Sequence, residues 1–200
     1  MIFIISPEQT QPSEIRILHK LFEAGLTHFH FRKPTASLEE HRAYLNQIDK
    51  TFHNRIVTHN FHKELYDEFD LKGIHLEEAK WRAQEDNLEE YCSAFVKAGK
   101  SISSSYHEME DLERQQVSFD YYILSPVFSA ISRSGMQGRG FDVNHIDKFV
   151  AGMGGINAST IPEARKLGFQ GFGTLGGVWN QENPVTAFLE MVEAFAQAHS

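Results

Sequence analysis

His28-Phe29-His30-Phe31-Arg32, followed by an amphipathic stretch over residues 37–50, is one strand and one helix in succession. Alternation of period two puts His28, His30 and Arg32 on one face of the strand and Phe29 and Phe31 on the other. The phenylalanines are expected to meet a helix layer, which leaves the polar face to line the inside of a sheet. Ser37, with Glu40 three residues later, predicts a capping box at the start of the helix. The same unit recurs along the chain. Further strands are read at 2–6, 55–59, 73–76, 100–105, 121–125, 149–153 and 171–175. Helices are read at 13–24, 62–69, 87–98, 107–115, 159–167 and 184–199, with a short turn near 143–148. In the helix at 13–24, Ile17, Leu18, Leu21 and Phe22 share one face, and Gly25 ends it. Eight strands with alternating crossovers fit a closed parallel barrel better than an open doubly wound sheet, because closure removes both edge strands. The expected fold is α/β, a single (β/α)8 TIM barrel over residues 1–200. No Pro/Ser-rich or low-complexity segment marks an internal boundary.

Composition narrows the function. The formal charge of −8 argues against nonspecific nucleic-acid binding, which needs a basic field. No apolar run reaches membrane-spanning length and the first residues carry no basic flank, so a cytoplasmic protein that binds neither membrane nor nucleic acid is expected. Cys92 is the only cysteine, which excludes internal disulfides and thiolate zinc cages, and its place beside Tyr91 and Phe95 reads as packing. The 11 histidines are scattered, with no HExxH pattern.

In such a barrel the chemistry sits at the carboxyl ends of the strands. Arg32 ends the second strand and is suited to hold an anion by paired hydrogen bonds. Gly152-Met-Gly154-Gly155-Ile-Asn157 and Gly173-Thr-Leu-Gly176-Gly177-Val178 end the last two, where barrels of this class commonly hold phosphate. Residues 125–140 form a long loop rich in small residues, read as a lid that carries Ser132, Arg133 and Arg139 toward a bound phosphate. His107 follows strand five at the start of a predicted helix, whose N-terminus favours a neutral imidazole able to move a proton.

These residues resemble the family of thiamine phosphate synthase and its relative, the thiazole tautomerase. The resemblance runs almost end to end, through Phe29-His-Phe-Arg32-Lys33, Gly73-Ile-His75, Asp120-Tyr121 to Pro126-Val-Phe128, and Gly152-Met-Gly-Gly-Ile156. It implies a (β/α)8 barrel acting on thiazole phosphate in thiamine biosynthesis. The synthases join hydroxymethylpyrimidine diphosphate to thiazole phosphate, and hold magnesium with two aspartates after strands three and four. Here Phe61, next to the matching Asn60, and Lys80 stand at those places, so both carboxylates are lost. Phenylalanine cannot ligate magnesium and an ammonium repels it. Ser105-Tyr-His107 and Gly135-Met-Gln-Gly-Arg-Gly140 resemble the tautomerase segments instead.

The resemblance therefore implies a metal-free tautomerase without cofactor, magnesium entering only in the synthase alternative, through Glu77 or Glu78. A non-catalytic sensor of the phosphate ligand, or a partner subunit, is the third reading. His107 and Arg32 are the expected catalytic residues. His30, Lys33, Asn60, Ser105, Ser132, Arg133 and Arg139 are expected to bind substrate, with Arg133 matching a lid lysine of the synthases. Gly154, Gly155, Gly176 and Gly177 are expected to hold phosphate. The expected partner is a thiazole phosphate-type small molecule. A homodimer stays open, since Trp179 and the phenylalanines of the terminal helix suit either a core or a subunit contact.

Overall fold

A computed structural model describes residues 1–129 and 137–198, apart from the side chain of Glu85. Its eight strands are β1 (Ile2–Ile5), β2 (Phe29–Phe31), β3 (Ile56–Thr58), β4 (Gly73–Leu76), β5 (Ser101–Tyr106), β6 (Tyr121–Leu124), β7 (Val150–Met153) and β8 (Gly171–Thr174). All neighbours are parallel, and β8 pairs back onto β1 with Phe3 beside Gly173, so the sheet is a closed (β/α)8 barrel. Gly173 is required there. A Cβ at this position would lie 2.2 Å from the Phe3 ring that fills the lumen.

The alternation expected in β2 is realised. Phe31 stacks on Tyr44 at 4.5 Å and Phe29 meets Phe22 edge-on at 6.1 Å, both in the layer between sheet and helices. His30 points inward, with its ring 4.7 Å from Phe3. The interior apolar cluster is Phe3, Ile5, Tyr121, Ile123 and Ala151, and the larger cluster lies outside the strands. At about 25 cal/mol per Å² of apolar surface removed from water, both layers favour the closed form.

The outer layer consists of α1 (Glu14–Glu23), α2 (Leu38–Leu45), α3 (His62–Glu68), α4 (Glu78–Ala83), α5 (Leu88–Lys97), α6 (Met109–Arg114), α7 (Ile161–Lys166), α8 (Gly176–Trp179) and α9 (Pro184–Gln197). Leu18, Leu21 and Phe22 of α1 are buried as expected. The capping box forms: Glu40 N–H donates to Ser37 Oγ at 3.2 Å and Ser37 N–H to Glu40 Oε2 at 2.7 Å. That helix stops at Leu45, short of the expected span, and a separate 3-10 turn over Lys50–Arg55 leads into β3. Helices α4 and α8 arise where the sequence suggested none, because both are too short for a periodic apolar face to show. Among the described residues, no helix stands between β6 and β7, only a turn near Asn144.

Trp179 is buried and donates to Ile5 O at 2.8 Å, and Phe188 is buried, so both belong to the core. Cys92 is buried in packing, which pushes its thiol up to about 11. Among the described residues, no helix is long and apolar enough to cross a membrane.

Candidate functional site

A cavity of about 660 Å3 opens at the carboxyl ends of the strands. Of the expected site residues it is lined by Arg32, Ser105, His107, Gly154, Gly155, Gly176 and Gly177. The apolar part of its wall comes from Ile5, Ile123, Met153, Ile156 and Leu175. Both glycine turns thus stand at one end of the barrel, and Thr174 Oγ1 joins them by donating to Ile156 O at 2.9 Å.

The glycines answer first to the chain itself. Gly154 and Gly155 have φ of +96° and +66°, in the left-handed region. A Cβ on Gly154 would meet Pro126 Cα at 2.8 Å, and one on Gly155 would meet Ser129 O at 2.6 Å. The turn is therefore shaped to let the segment after β6 cross it, held by Val127 N–H on Met153 O and Phe128 N–H on Gly154 O. Gly176 and Gly177 begin α8, where the first amides have no intrahelical acceptor.

His107 is exposed on the rim, and its Nδ1 lies 3.3 Å from Ser125 Oγ. The helix expected to begin at this residue begins at Met109, with Glu108 at the N-cap position and no side-chain capping bond. Arg139 forks onto both Glu108 oxygens at 2.7 Å and donates to His107 O at 2.6 Å. It therefore braces the His107 backbone rather than pointing a vacant guanidinium at the cavity.

Arg32 carries its own counter-ions. Its Nε donates to Glu77 Oε1 at 2.5 Å and its Nη1 to Glu8 Oε1 at 2.7 Å. Glu77 also accepts from His59 Nδ1 at 3.3 Å. Hydrogen bonds from His59 and Arg32 hold the Glu77 carboxyl well below the usual range against the opposing effect of burial. Burial takes His59 down to about 3, so the imidazole is neutral and the carboxylate is the charged member of that pair.

The remaining candidates lie elsewhere. Lys33 is buried away from the cavity, with Nζ 2.9 Å from Glu14 Oε1 and 2.6 Å from Pro7 O. Tyr44 also donates to Glu14 Oε1, at 2.7 Å. His30 is beneath the cavity, bonded to His59 and Tyr121. Asn60 does not line it, and its buried Oδ1 has no hydrogen-bond partner among the described residues. Ser132 and Arg133 fall outside the described residues. Glu8, Arg82 and Thr174 line the cavity without having been singled out, because their signal is tertiary. Arg82 lies one turn after Glu78, to which it donates at 2.9 Å, and also pairs with Asp111.

Magnesium prefers oxygen ligands in an octahedron. Glu77 is taken up by Arg32 and His59, and Glu78 Oε1 by Arg82. Lys80 donates to the His59 carbonyl, and Phe61 packs on His41 at 5.0 Å. With Glu77 ion-paired to Arg32 and Glu78 to Arg82, the residues present do not fit a magnesium site.

The sequence pattern of the thiamine monophosphate synthase family matches residues 1–178. Among solved structures, a thiamine phosphate pyrophosphorylase from Bacteroides thetaiotaomicron is similar at 26% identity and a TM-score of 0.75, over 100% of this chain and 99% of that one. A thiamine phosphate pyrophosphorylase from Pyrococcus furiosus shares the fold at 19% identity and a TM-score of 0.77, over 100% and 96% of the two chains. A 3-hexulose-6-phosphate synthase from Salmonella typhimurium shares it at 14% identity and 0.70, over 99% of each. Comparison with curated protein sequences gives no significant match.

Proposed function

The chain belongs to the thiamine monophosphate synthase family, and from that premise we propose that it is a thiazole tautomerase whose proton transfer runs through His107 without magnesium. The observation that carries this reading is the cavity mouth, where Glu77 and Glu78 are engaged by Arg32, His59 and Arg82. Departure of a diphosphate needs a cation to take up its charge, and each of these carboxylates already carries an ion pair to an arginine. Isomerisation of a carboxythiazole phosphate to its aromatic form has no leaving group. It needs an anchor for the phosphate and one group that removes a proton from the ring and returns it at another atom.

The anchor in this reading is the pair of turns. The opening amides of α8 receive the phosphoryl oxygens, with Gly155 on the facing turn. The apolar wall of Ile5, Ile123 and Leu175 accommodates the ring. His107 works through Nε2, since Nδ1 is directed to Ser125. Arg32 reaches the substrate carboxylate by exchanging Glu8, the more exposed of its two partners at 42% against 33% for Glu77.

The likeness to the Bacteroides pyrophosphorylase favours a second reading, a synthase that joins hydroxymethylpyrimidine diphosphate to thiazole phosphate with release of diphosphate. One set of incubations separates the two. The protein is expected to convert the non-aromatic carboxythiazole phosphate, followed by the ultraviolet change on aromatisation. It is expected to form no thiamine phosphate from the synthase substrates, with or without magnesium. Thiamine phosphate formed only with magnesium would replace the tautomerase reading, and tight thiazole phosphate binding without either turnover would leave a non-catalytic sensor.

A further inference from the structure

Beneath the cavity three imidazoles meet, and the reading above uses none of them for chemistry. His30, His59 and His75 come from three neighbouring strand segments and are 0%, 2% and 1% exposed. One nitrogen of each lies within 4.8 Å of the other two. The His59 and His75 rings stack at 4.3 Å, and His30 stands edge-on to both. We propose that His30, His59 and His75 bind one divalent transition-metal ion of the zinc class, with its fourth position open to the cavity that His59 and His75 line.

The argument rests on where the other nitrogen of each ring goes. His59 Nδ1 faces Glu77 Oε1 at 3.3 Å, His75 Nδ1 faces Ser103 Oγ at 2.8 Å, and His30 Nε2 faces Tyr121 OH at 2.7 Å. Each imidazole thus has one nitrogen bound outward to an oxygen, which directs the second nitrogen to the common centre. A metal-binding histidine is held in this way, with its far N–H donated to a carboxylate or another oxygen that fixes the tautomer. The ring set His30 Nδ1, His59 Nε2 and His75 Nε2 is then the donor set, and three neutral nitrogens suit zinc rather than magnesium. Burial keeps all three rings neutral, as ligation requires.

The proton inventory closes in both states. Without an ion, the Glu77 carboxylate can only accept, so His59 carries its proton on Nδ1 and accepts at Nε2 from His30 Nδ1, 2.8 Å away. His30 Nε2 then accepts from the Tyr121 hydroxyl. With an ion, His30 moves its proton to Nε2 and donates to Tyr121, whose hydroxyl turns to Ser103, its other partner. Each ring nitrogen of His59 and His30 and the Tyr121 hydroxyl thus keep a partner in both states. Tetrahedral ligation at roughly 2.0–2.1 Å brings the three nitrogens to about 3.4 Å apart, so the open pairs close by no more than about 1.5 Å.

The test is titration of the full-length protein with zinc sulfate alone against a chromophoric chelator, with cobalt as the spectroscopic substitute. One equivalent per chain is expected, with the intense visible absorption of four- or five-coordinate cobalt and a rise in Tm with added zinc. His59→Gln and His75→Gln are expected to weaken binding more than 100-fold. Glu77→Gln, which spares the ligands, is expected to weaken it about 10–100-fold. Binding well below one equivalent by folded wild-type protein overturns the site, and so does the weak spectrum of octahedral cobalt. Folded His59→Gln and His75→Gln proteins that bind as well as wild type would place any bound zinc on other histidines and overturn it too. Because the wild-type readings stand alone, the test survives a variant that does not fold.

Discussion

Replacing Gly177 by alanine probes the junction between the two glycine turns. An added Cβ would stand 2.5 Å from Ile156 O and 2.5 Å from Thr174 Oγ1. One obstacle is backbone, and the other is a hydroxyl already committed to that same carbonyl, so neither can swing aside. Comfortable contact lies near 3.5 Å, so the start of α8 and the turn after β7 must part by about 1 Å. Overpacking of this kind costs about 1–3 kcal/mol, which for a chain of this size lowers Tm by several degrees. The same displacement moves the opening amides of α8. Loss of one hydrogen bond to a charged oxygen costs about 1.5–3 kcal/mol, or roughly 10–100-fold in Kd. Calorimetric titration with thiazole phosphate, beside a thermal scan, reads both effects. Gly25→Ala is the control: it has φ of +103° and nothing within 4 Å of an added Cβ, and it lies between α1 and β2, at the opposite end of the barrel. It is expected to lower Tm and leave Kd unchanged. A Gly177→Ala protein with wild-type Tm and wild-type Kd would refute the reasoning.

Three further outcomes follow from the same contacts. His107→Gln is expected to lower turnover of the carboxythiazole phosphate by about 10²–10⁴ while thiazole phosphate affinity changes little, measured by steady-state kinetics and calorimetry. Lys33→Met strands the Glu14 carboxylate, whose side chain is 0% exposed, and is expected to cost about 3–5 kcal/mol in urea unfolding, much of it recovered by Glu14→Leu in the same chain. Glu77→Gln is expected to flatten the acid side of the stability curve. A carboxyl held below its unfolded value stabilises the fold above about pH 4.3, and that contribution fades as pH falls toward the folded value. Unfolding midpoints between pH 6 and pH 2 should therefore drop less steeply in the variant than in wild type.

Strand count, closure and the inward face of β2 were legible because each depends on a short-range period: two along a strand, and turns that stop each helix. The location of both glycine turns at one end follows from the same order of elements. What the sequence did not carry is the pairing of charges across distant segments. Arg32 looks like an anion-binding strand end until Glu8 and Glu77, from the loops after β1 and β4, are seen against it. Lys33 lies one residue further on, yet its backbone turns it into the outer layer toward Glu14 of α1. Gly154 and Gly155 read as a ligand cradle, whereas their missing side chains also make room for Pro126 and Ser129. The convergence of His30, His59 and His75 could not be read from spacings of 29 and 16 residues, since it is the pairing of β2 with β3 and of β3 with β4 that sets the three rings side by side.

A crystal structure with thiazole phosphate bound tests the central claim most directly. The account predicts phosphoryl oxygens on the amides of Gly155, Gly176 and Gly177, and a ring atom within hydrogen-bond reach of His107 Nε2. A phosphoryl group held instead by Arg82 at the rim, or a ring turned away from His107, would contradict it.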